Sequence, residues 1–315
     1  MRVIFVLLLL LLTSCSPSRD SDIFSITSWN TYCFFDGVDN SSEFTEFTSA
    51  KGYTRAKYEE RIERTALYMA LNMSDSDIII LEEIESEDVL HDLIDAGLKG
   101  KGYLYYGLAQ KSDGTLSVGF ISRIKPSSVV FHSVSSSLSR LIPEFRFTWK
   151  GESVTLLGVH LRSQLDDEDE RKEELELLRT LIEERDGECV IVMGDFNTDC
   201  ITGDEIGDRR KTGDWIIPLT GDGALAYGGV MFSPYLDYSE PLAAGSYYYD
   251  GSWYTYDNAL LSSSFFDGEG IEYDAFSITS GADSKTSYGT PLKYEKSSAS
   301  GYSDHFAITL RLRYH

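Results

Sequence analysis

Near the carboxyl terminus stands Gly301-Tyr302-Ser303-Asp304-His305-Phe306, and a domain's length upstream lies Gly194-Asp195-Phe196-Asn197. These segments place Asp–His and Asp–Asn pairs at two strand ends. Metal-assisted attack on a phosphate ester needs such groups: charge neutralisation on the phosphoryl oxygens, an activated water, and help for the leaving oxygen. Two further pieces arrive in order, Leu81-Glu82-Glu83-Ile84 and Val159-His160-Leu161-Arg162-Ser163. Each has a plainer reading alone. Asp and Asn end strands by bonding their own backbone, and a strand histidine is commonly a satisfied core residue. Their joint occurrence carries the argument. Glu83, at the carboxyl end of an apolar run, is the natural ligand for a hard divalent cation, with Asn30 and Asp304 completing the shell. His305 is placed to contact phosphate or water if a carboxylate orients its ring, and Asp257 is the candidate orienter.

The elements that must position these residues occupy a chain of 315 residues, long enough for one large domain or two small ones. Arg2 precedes an apolar run over 3–12, closed by Leu12-Thr13-Ser14-Cys15. That run is too short to span a membrane and fits the core of an export signal. Small residues just before Cys15 resemble a bacterial lipobox, whose cysteine becomes lipidated; a plain signal peptide is the alternative. The expected organisation is a signal over 1–15, a tether over 16–22 and a single domain over 23–315. The protein would be exported and held at the bacterial cell envelope by lipid alone, with Ser16 favouring the outer membrane and a monomer favoured over an oligomer, which the sequence leaves open.

The net charge is −23. Such a surface repels polyanions at long range and argues against tight nonspecific nucleic-acid binding. Catalysis on nucleic acid stays open, because a metal and a few arginines make one local positive patch. Arg123 and Arg140 are candidates for it, with structural ion pairing equally open. Besides Cys15 the cysteines are Cys33, Cys189 and Cys200. Cys189 and Cys200 could bridge, a buried thiol at Cys189 being the alternative; no spacing suits zinc.

Alternation over 23–29 reads as a strand ending at Asn30, and helical spacing covers 55–72. An apolar strand over 77–81 is followed by a helix over 86–98. Short β segments follow at 103–108, 116–121, 128–131, 144–149 and 154–161. A long charged helix covers 166–185, and a buried strand over 189–193 runs into Asp195. Residues 198–247 read as surface loops, and 253–261 and 306–312 as closing strands. Helices and strands alternate at both ends with β meanders between, which makes the chain α/β with sheets packed face to face and helices outside.

The set resembles the endonuclease/exonuclease/phosphatase superfamily, with its deoxyribonuclease I-like fold. Trp29-Asn30 is similar to the family's first-strand asparagine. Leu81-Glu82-Glu83-Ile84-Glu85 resembles its Leu-Gln-Glu-Val-Glu segment, and His160-Leu161-Arg162-Ser163 its His-Leu-Lys-Ser strand end. The Gly194–Asn197 turn and the closing Ser303–Phe306 also match, and Gly245–Ser262 resembles the Gly-x-Trp segment that carries an aspartate, here Asp257. The resemblance implies a four-layered α/β sandwich of two mixed sheets, and a cofactor of Mg²⁺, with Mn²⁺ or Ca²⁺ in some members. It implies that Glu83 binds metal and that Asp195 activates water or supports the leaving group. Asn197 would contact the phosphate, as would His305, oriented by Asp257, with His160 on the opposite side.

Three positions depart from the pattern. Glu82 replaces glutamine and adds a negative charge beside the metal. Asn258 follows Asp257 where other residues are commoner, and Ala307 replaces a proline. The expected activity is that of a metal-dependent nuclease. The alternatives are a sphingomyelinase-type or other phosphate-ester hydrolase, and a surface lipoprotein using the same fold only for binding.

Overall fold

Period-two alternation sends successive side chains to opposite faces of a strand, so a strand covered on both faces reads as a continuous apolar run. Ile78–Ile84 (β2) is such a strand. Its Ile78 and Ile80 enter one buried cluster, while Ile79, Leu81 and Ile84 enter another. Cys189–Asp195 (β8) repeats the pattern, with Ile191 and Met193 facing inward and Val190 and Val192 outward. The computed structural model describes residues 22–111, 114–134, 140–163, 168–198, 231–236 and 244–315. The expected signal with Cys15, nearly all of the tether, Cys200 and most of 198–247 lie outside them.

Two sheets follow from this patterning. The first has six strands in the order β12-β13-β1-β2-β4-β3. Its other members are Ile23–Phe34 (β1), Tyr105–Ala109 (β3), Ser117–Ser122 (β4), Ile271–Thr279 (β12) and Ala307–Tyr314 (β13). The second has five, in the order β11-β8-β7-β6-β5. These are Ser128–His132 (β5), Ile142–Trp149 (β6), Glu152–His160 (β7), β8 and Asp257–Leu261 (β11). The sheets face each other across a core in which Phe24 stacks on Phe147 at 4.9 Å and Phe120 meets Phe145 at 4.3 Å. Arg55–Asn72 (α1) and Glu87–Leu93 (α2) cover the outer face of the first sheet. Glu168–Glu183 (α3) covers the second through Leu175, Leu178, Leu181 and Ile182. The result is the expected four-layered α/β sandwich.

Each sheet contains one parallel pair, β1 with β2 and β7 with β8, flanked by antiparallel strands. The carboxyl ends of both parallel pairs, and the starts of β11 and β13, therefore share one end of the sandwich. Asn30, Glu83, His160, Asp195, Asp257 and His305 all lie there.

The segments differ from the sequence reading in four places. β1 continues past Asn30 to Phe34 through a bulge, with Tyr32 and Cys33 at φ of 57° and 47°. The helix expected over 86–98 is α2 followed by one π turn, Ile94–Leu98. The closing strand expected over 253–261 is two strands, because the run changes partner. Ser252–Tyr254 (β10) pairs with Tyr247–Tyr249 (β9), whereas Asp257 onward pairs with β8. β12 escaped the reading because a register shift between Tyr273 and Ala275 interrupts its alternation.

Gly194 locks the turn out of β8. Its φ is 147°, and a Cβ there would stand 1.9 Å from the Val159 carbonyl oxygen on β7. Gly194→Ala should separate the parallel pair and lower stability by about 3 kcal/mol or more. Thermal denaturation checks this; an unchanged Tm would contradict the close approach.

Candidate active site

Four strand ends bring the first group of side chains together. Asn30 donates from Nδ2 to Glu83 Oε1 at 3.1 Å and to Asp195 Oδ2 at 3.0 Å. Its Oδ1 accepts from the Tyr32 amide at 3.0 Å, which fixes the orientation of the side chain. Asn30 thus meets the carboxylates with its NH₂, and here it aligns Glu83 and Asp195. Glu83 has φ of 62°, a left-handed conformation that costs a non-glycine residue of order 1–3 kcal/mol. The Cys33 amide holds its Oε2 at 2.6 Å. Asp195 accepts at Oδ1 from the Asn197 amide at 2.8 Å, and Asn197 Nδ2 is tied to the Leu161 carbonyl at 2.8 Å. His160 Nε2 faces the pair, 3.9 Å from Glu83 Oε1 and 3.7 Å from Asp195 Oδ2.

The second group comes from β11 and the segment before β13. His305 Nδ1 lies 2.8 Å from Asp257 Oδ2, which also accepts from Ser246 Oγ at 2.5 Å. The Tyr247 ring stacks on the imidazole with centroids 4.5 Å apart. Ser303 Oγ donates to the Asn30 carbonyl at 2.6 Å and accepts from the His305 amide at 3.0 Å, while Trp29 Nε1 bonds the His305 carbonyl at 3.1 Å. These bonds anchor the closing loop to β1. Asp304 pairs with Lys293 Nζ at 3.1 Å. Ser246, Tyr247 and Lys293 lie outside the set of site residues legible in the sequence, although Ser246 and Tyr247 sit within the Gly-x-Trp segment. Arg140 Nη1 donates to the His160 carbonyl at 3.3 Å. Arg123 does not join the site: it bonds the Lys101 carbonyl and stands over the Tyr103 ring.

Burial sets the charge states. For His305 burial favours the neutral ring, but Asp257, Asp195 and Asp304 outweigh it and raise the pKa to about 10. Burial pushes Asp195 up to about 7, with Asp257 adding to the effect. Burial, helped by the charges of Arg140 and His305, holds His160 well below the usual histidine value, so it is neutral. Glu82 is fully buried, and burial with the nearby Asp257 and Asp195 raises its carboxyl well above the ordinary range. Glu82 accepts from Ser28 Oγ at 2.5 Å. Burial thus works against the added charge expected of Glu82 beside the metal.

The sign of the pH effect on stability follows. Asp195 and His305 both have folded pKa values above their unfolded ones, so each contributes stability at low pH that is lost as pH rises toward those values. In a chelator the Tm should fall by several degrees between pH 6.5 and pH 8, above the range in which the depressed pKa of His160 adds stability with rising pH. A Tm that rises over this interval would contradict the convergence of buried carboxylates.

The donor set suits a hard divalent cation. Asp195, Asp257 and His305 offer ligand atoms within 4.8 Å of one another. His305 Nδ1 is engaged by Asp257, however, and a protonated imidazole has no lone pair to give. Glu83 and Asp195, aligned by Asn30, are the better-matched pair.

The sequence model of the Endonuclease/Exonuclease/phosphatase family matches residues 27–271, which carry Asn30, Glu83, His160, Asp195, Asn197 and Asp257. The chain belongs to that family. Endonuclease/exonuclease/phosphatase proteins are phosphoester hydrolases, and hydrolase is the class supported here. Among solved structures, a family protein from Bacteroides thetaiotaomicron is 16% identical, with a TM-score of 0.58, covering 93% of this chain and 98% of that one. A mannosyl-6-phosphatase from the same organism is also 16% identical, with a TM-score of 0.58 over 92% and 99%. TDP2 of D. rerio, in complex with a single-strand DNA product, is 17% identical, with a TM-score of 0.53 over 92% and 99%. These likenesses show the shared fold. No curated protein matches the chain in sequence.

Proposed function

We propose that this family member is an exported, Mg²⁺-dependent phosphodiesterase that cleaves nucleic acid. The observation that carries the catalytic reading is the His305–Asp257 pair facing Asp195 and Glu83 across one end of the sandwich. A bound divalent cation would be held by Glu83, and would supply charge neutralisation at the phosphoryl oxygens. Asp257 holds His305 through Nδ1, leaving Nε2 as a charged donor to a phosphoryl oxygen. Tyr247 and Ser246 fix the orientation of that pair. Asp195 is placed to take the proton of the attacking water, its oxygens aligned by Asn30 and the Asn197 amide. Neutral His160 can donate to phosphate without adding to the charge.

The nucleic-acid reading draws on the His-Leu-Arg-Ser and Gly-Asp-Phe-Asn forms and on the aromatic group beside His305. Tyr247 lies near Tyr249, Tyr254 and Tyr256, and Trp253 stacks on Phe306. Net charge favours a second reading, hydrolysis of another phosphate ester such as a sphingomyelin or a sugar phosphate, because −23 opposes a long polyanion. A panel of plasmid DNA, RNA, sphingomyelin, phosphoinositides and sugar phosphates, each with Mg²⁺ or EDTA, separates them. Turnover of DNA or RNA only with the metal supports the first reading; turnover of a non-nucleotide ester alone replaces it.

Export rests on 1–15 and on Cys15, the candidate for lipidation and outer-membrane anchoring. Cys15→Ser should abolish incorporation of labelled palmitate in cells. Wild-type protein released freely without label would leave a plain signal peptide.

A further inference from the structure

Helix α3 connects the parallel strands β7 and β8, so its first turns stand at the carboxyl end of both, where the site lies. Its charged start would be expected to face solvent, yet Arg171 and Glu174 are only 8% and 2% exposed. Charged side chains are rarely buried unless other groups answer them. Arg171 turns to the main chain. Its Nη1 donates to the Arg162 carbonyl, and its Nη2 to the Phe196 carbonyl at 3.2 Å and to the Thr198 hydroxyl. Glu174, one turn further along α3, accepts from the Arg162 amide at 2.8 Å. The Arg162 guanidinium is itself paired with Glu170 at 2.9 Å.

Both of the loops gripped in this way carry site residues. Arg162 follows His160 and Leu161, and Phe196 stands between Asp195 and Asn197. His160 and Asp195 are the last register partners of β7 and β8. Past them the Leu161 amide bonds the Asp195 carbonyl at 2.9 Å, and Asn197 Nδ2 bonds the Leu161 carbonyl at 2.8 Å. Arg171 closes the same junction from the helix side. A planar guanidinium presents five donors in a fixed fork and can hold two loops at a set spacing, whereas an ammonium is a point charge.

We propose that Arg171 is a positioning residue for hydrolysis, fixing the spacing between His160 and the Asp195–Asn197 turn across the ends of β7 and β8. The inference rests on the catalytic roles given above to His160 and Asp195, and not on nucleic acid as the substrate. The test measures kcat on whichever ester the panel above shows to be turned over. Arg171→Met keeps the aliphatic stem and should lower kcat about 100-fold, the scale of a misplacement of about 1 Å. The Mg²⁺ concentration for half-maximal activity should stay within about twofold, because Glu83 stands on the other sheet. Arg171→Lys should recover little of the loss.

A cycle with Asp195→Asn separates positioning from a loss of folded protein. If Arg171 acts through Asp195, adding Arg171→Met to Asp195→Asn should cost less than about threefold. Fewer folded molecules would cost the same factor in both backgrounds. Where Arg171→Met does not fold, Arg171→Lys carries the same cycle. Multiplicative losses, wild-type kcat in Arg171→Met or full recovery in Arg171→Lys would overturn the proposal. Turnover of a non-nucleotide ester removes the nuclease reading and leaves the clamp to be judged on that ester. No turnover of any ester by wild type removes the catalytic roles, and the clamp with them.

Discussion

Asp257→Asn and His305→Ala should each lower kcat/KM by about 10³-fold or more, and the double variant should be little worse than either. Residues that act as one unit are non-additive in this way, and the asparagine for a histidine-orienting aspartate has a known scale of about 10⁴. The expectation comes from the 2.8 Å bond between Asp257 Oδ2 and His305 Nδ1, with both side chains buried. Without the carboxylate the imidazolium loses the partner that outweighs its burial, and Nε2 loses its aim. Kinetics and Tm measured on all three variants decide the matter. Multiplicative losses would break the pairing, and a drop in Tm without a specific loss of rate would make the pair structural.

Glu83→Ala should lower turnover by about 10³-fold or more while raising the Mg²⁺ concentration needed for half-maximal activity. Glu83 is the partly exposed carboxylate of the group, held in a strained left-handed conformation by Cys33 and Asn30. Strain at a non-glycine position persists only where surrounding bonds over-determine it. Removing the side chain should therefore leave Tm in EDTA unchanged or higher, while abolishing the stabilisation that Mg²⁺ gives wild type. Wild-type turnover at limiting Mg²⁺ would refute the ligand assignment.

The layered sandwich was legible because its central strands carry apolar residues on both faces, as in 77–81 and 189–193, and because α1 keeps a clean helical stripe. The four strand-end motifs were legible because their chemistry is compressed into tetrapeptides. What escaped depends on partners distant in sequence. The change of partner after Tyr254 and the bulge in β12 leave no periodic trace. The NH₂ orientation of Asn30 is set by Tyr32, and the pairing of Asp304 with Lys293 joins residues outside any motif. The upward push on the Glu82 carboxyl appears only once its burial beside Asp195 and Asp257 is seen. From its letter alone, Glu82 reads as a charge.

The most direct measurement follows cleavage of a fluorescent single-stranded oligonucleotide as Mg²⁺ is titrated from zero, with wild type and Asp257→Asn side by side. Wild type should show saturable, EDTA-reversible cleavage, and Asp257→Asn should be slower by about 10³-fold or more at saturating metal with an unchanged fold. Cleavage that persists in EDTA, or equal rates for the two proteins, would contradict a metal-dependent site built on the His305–Asp257 pair.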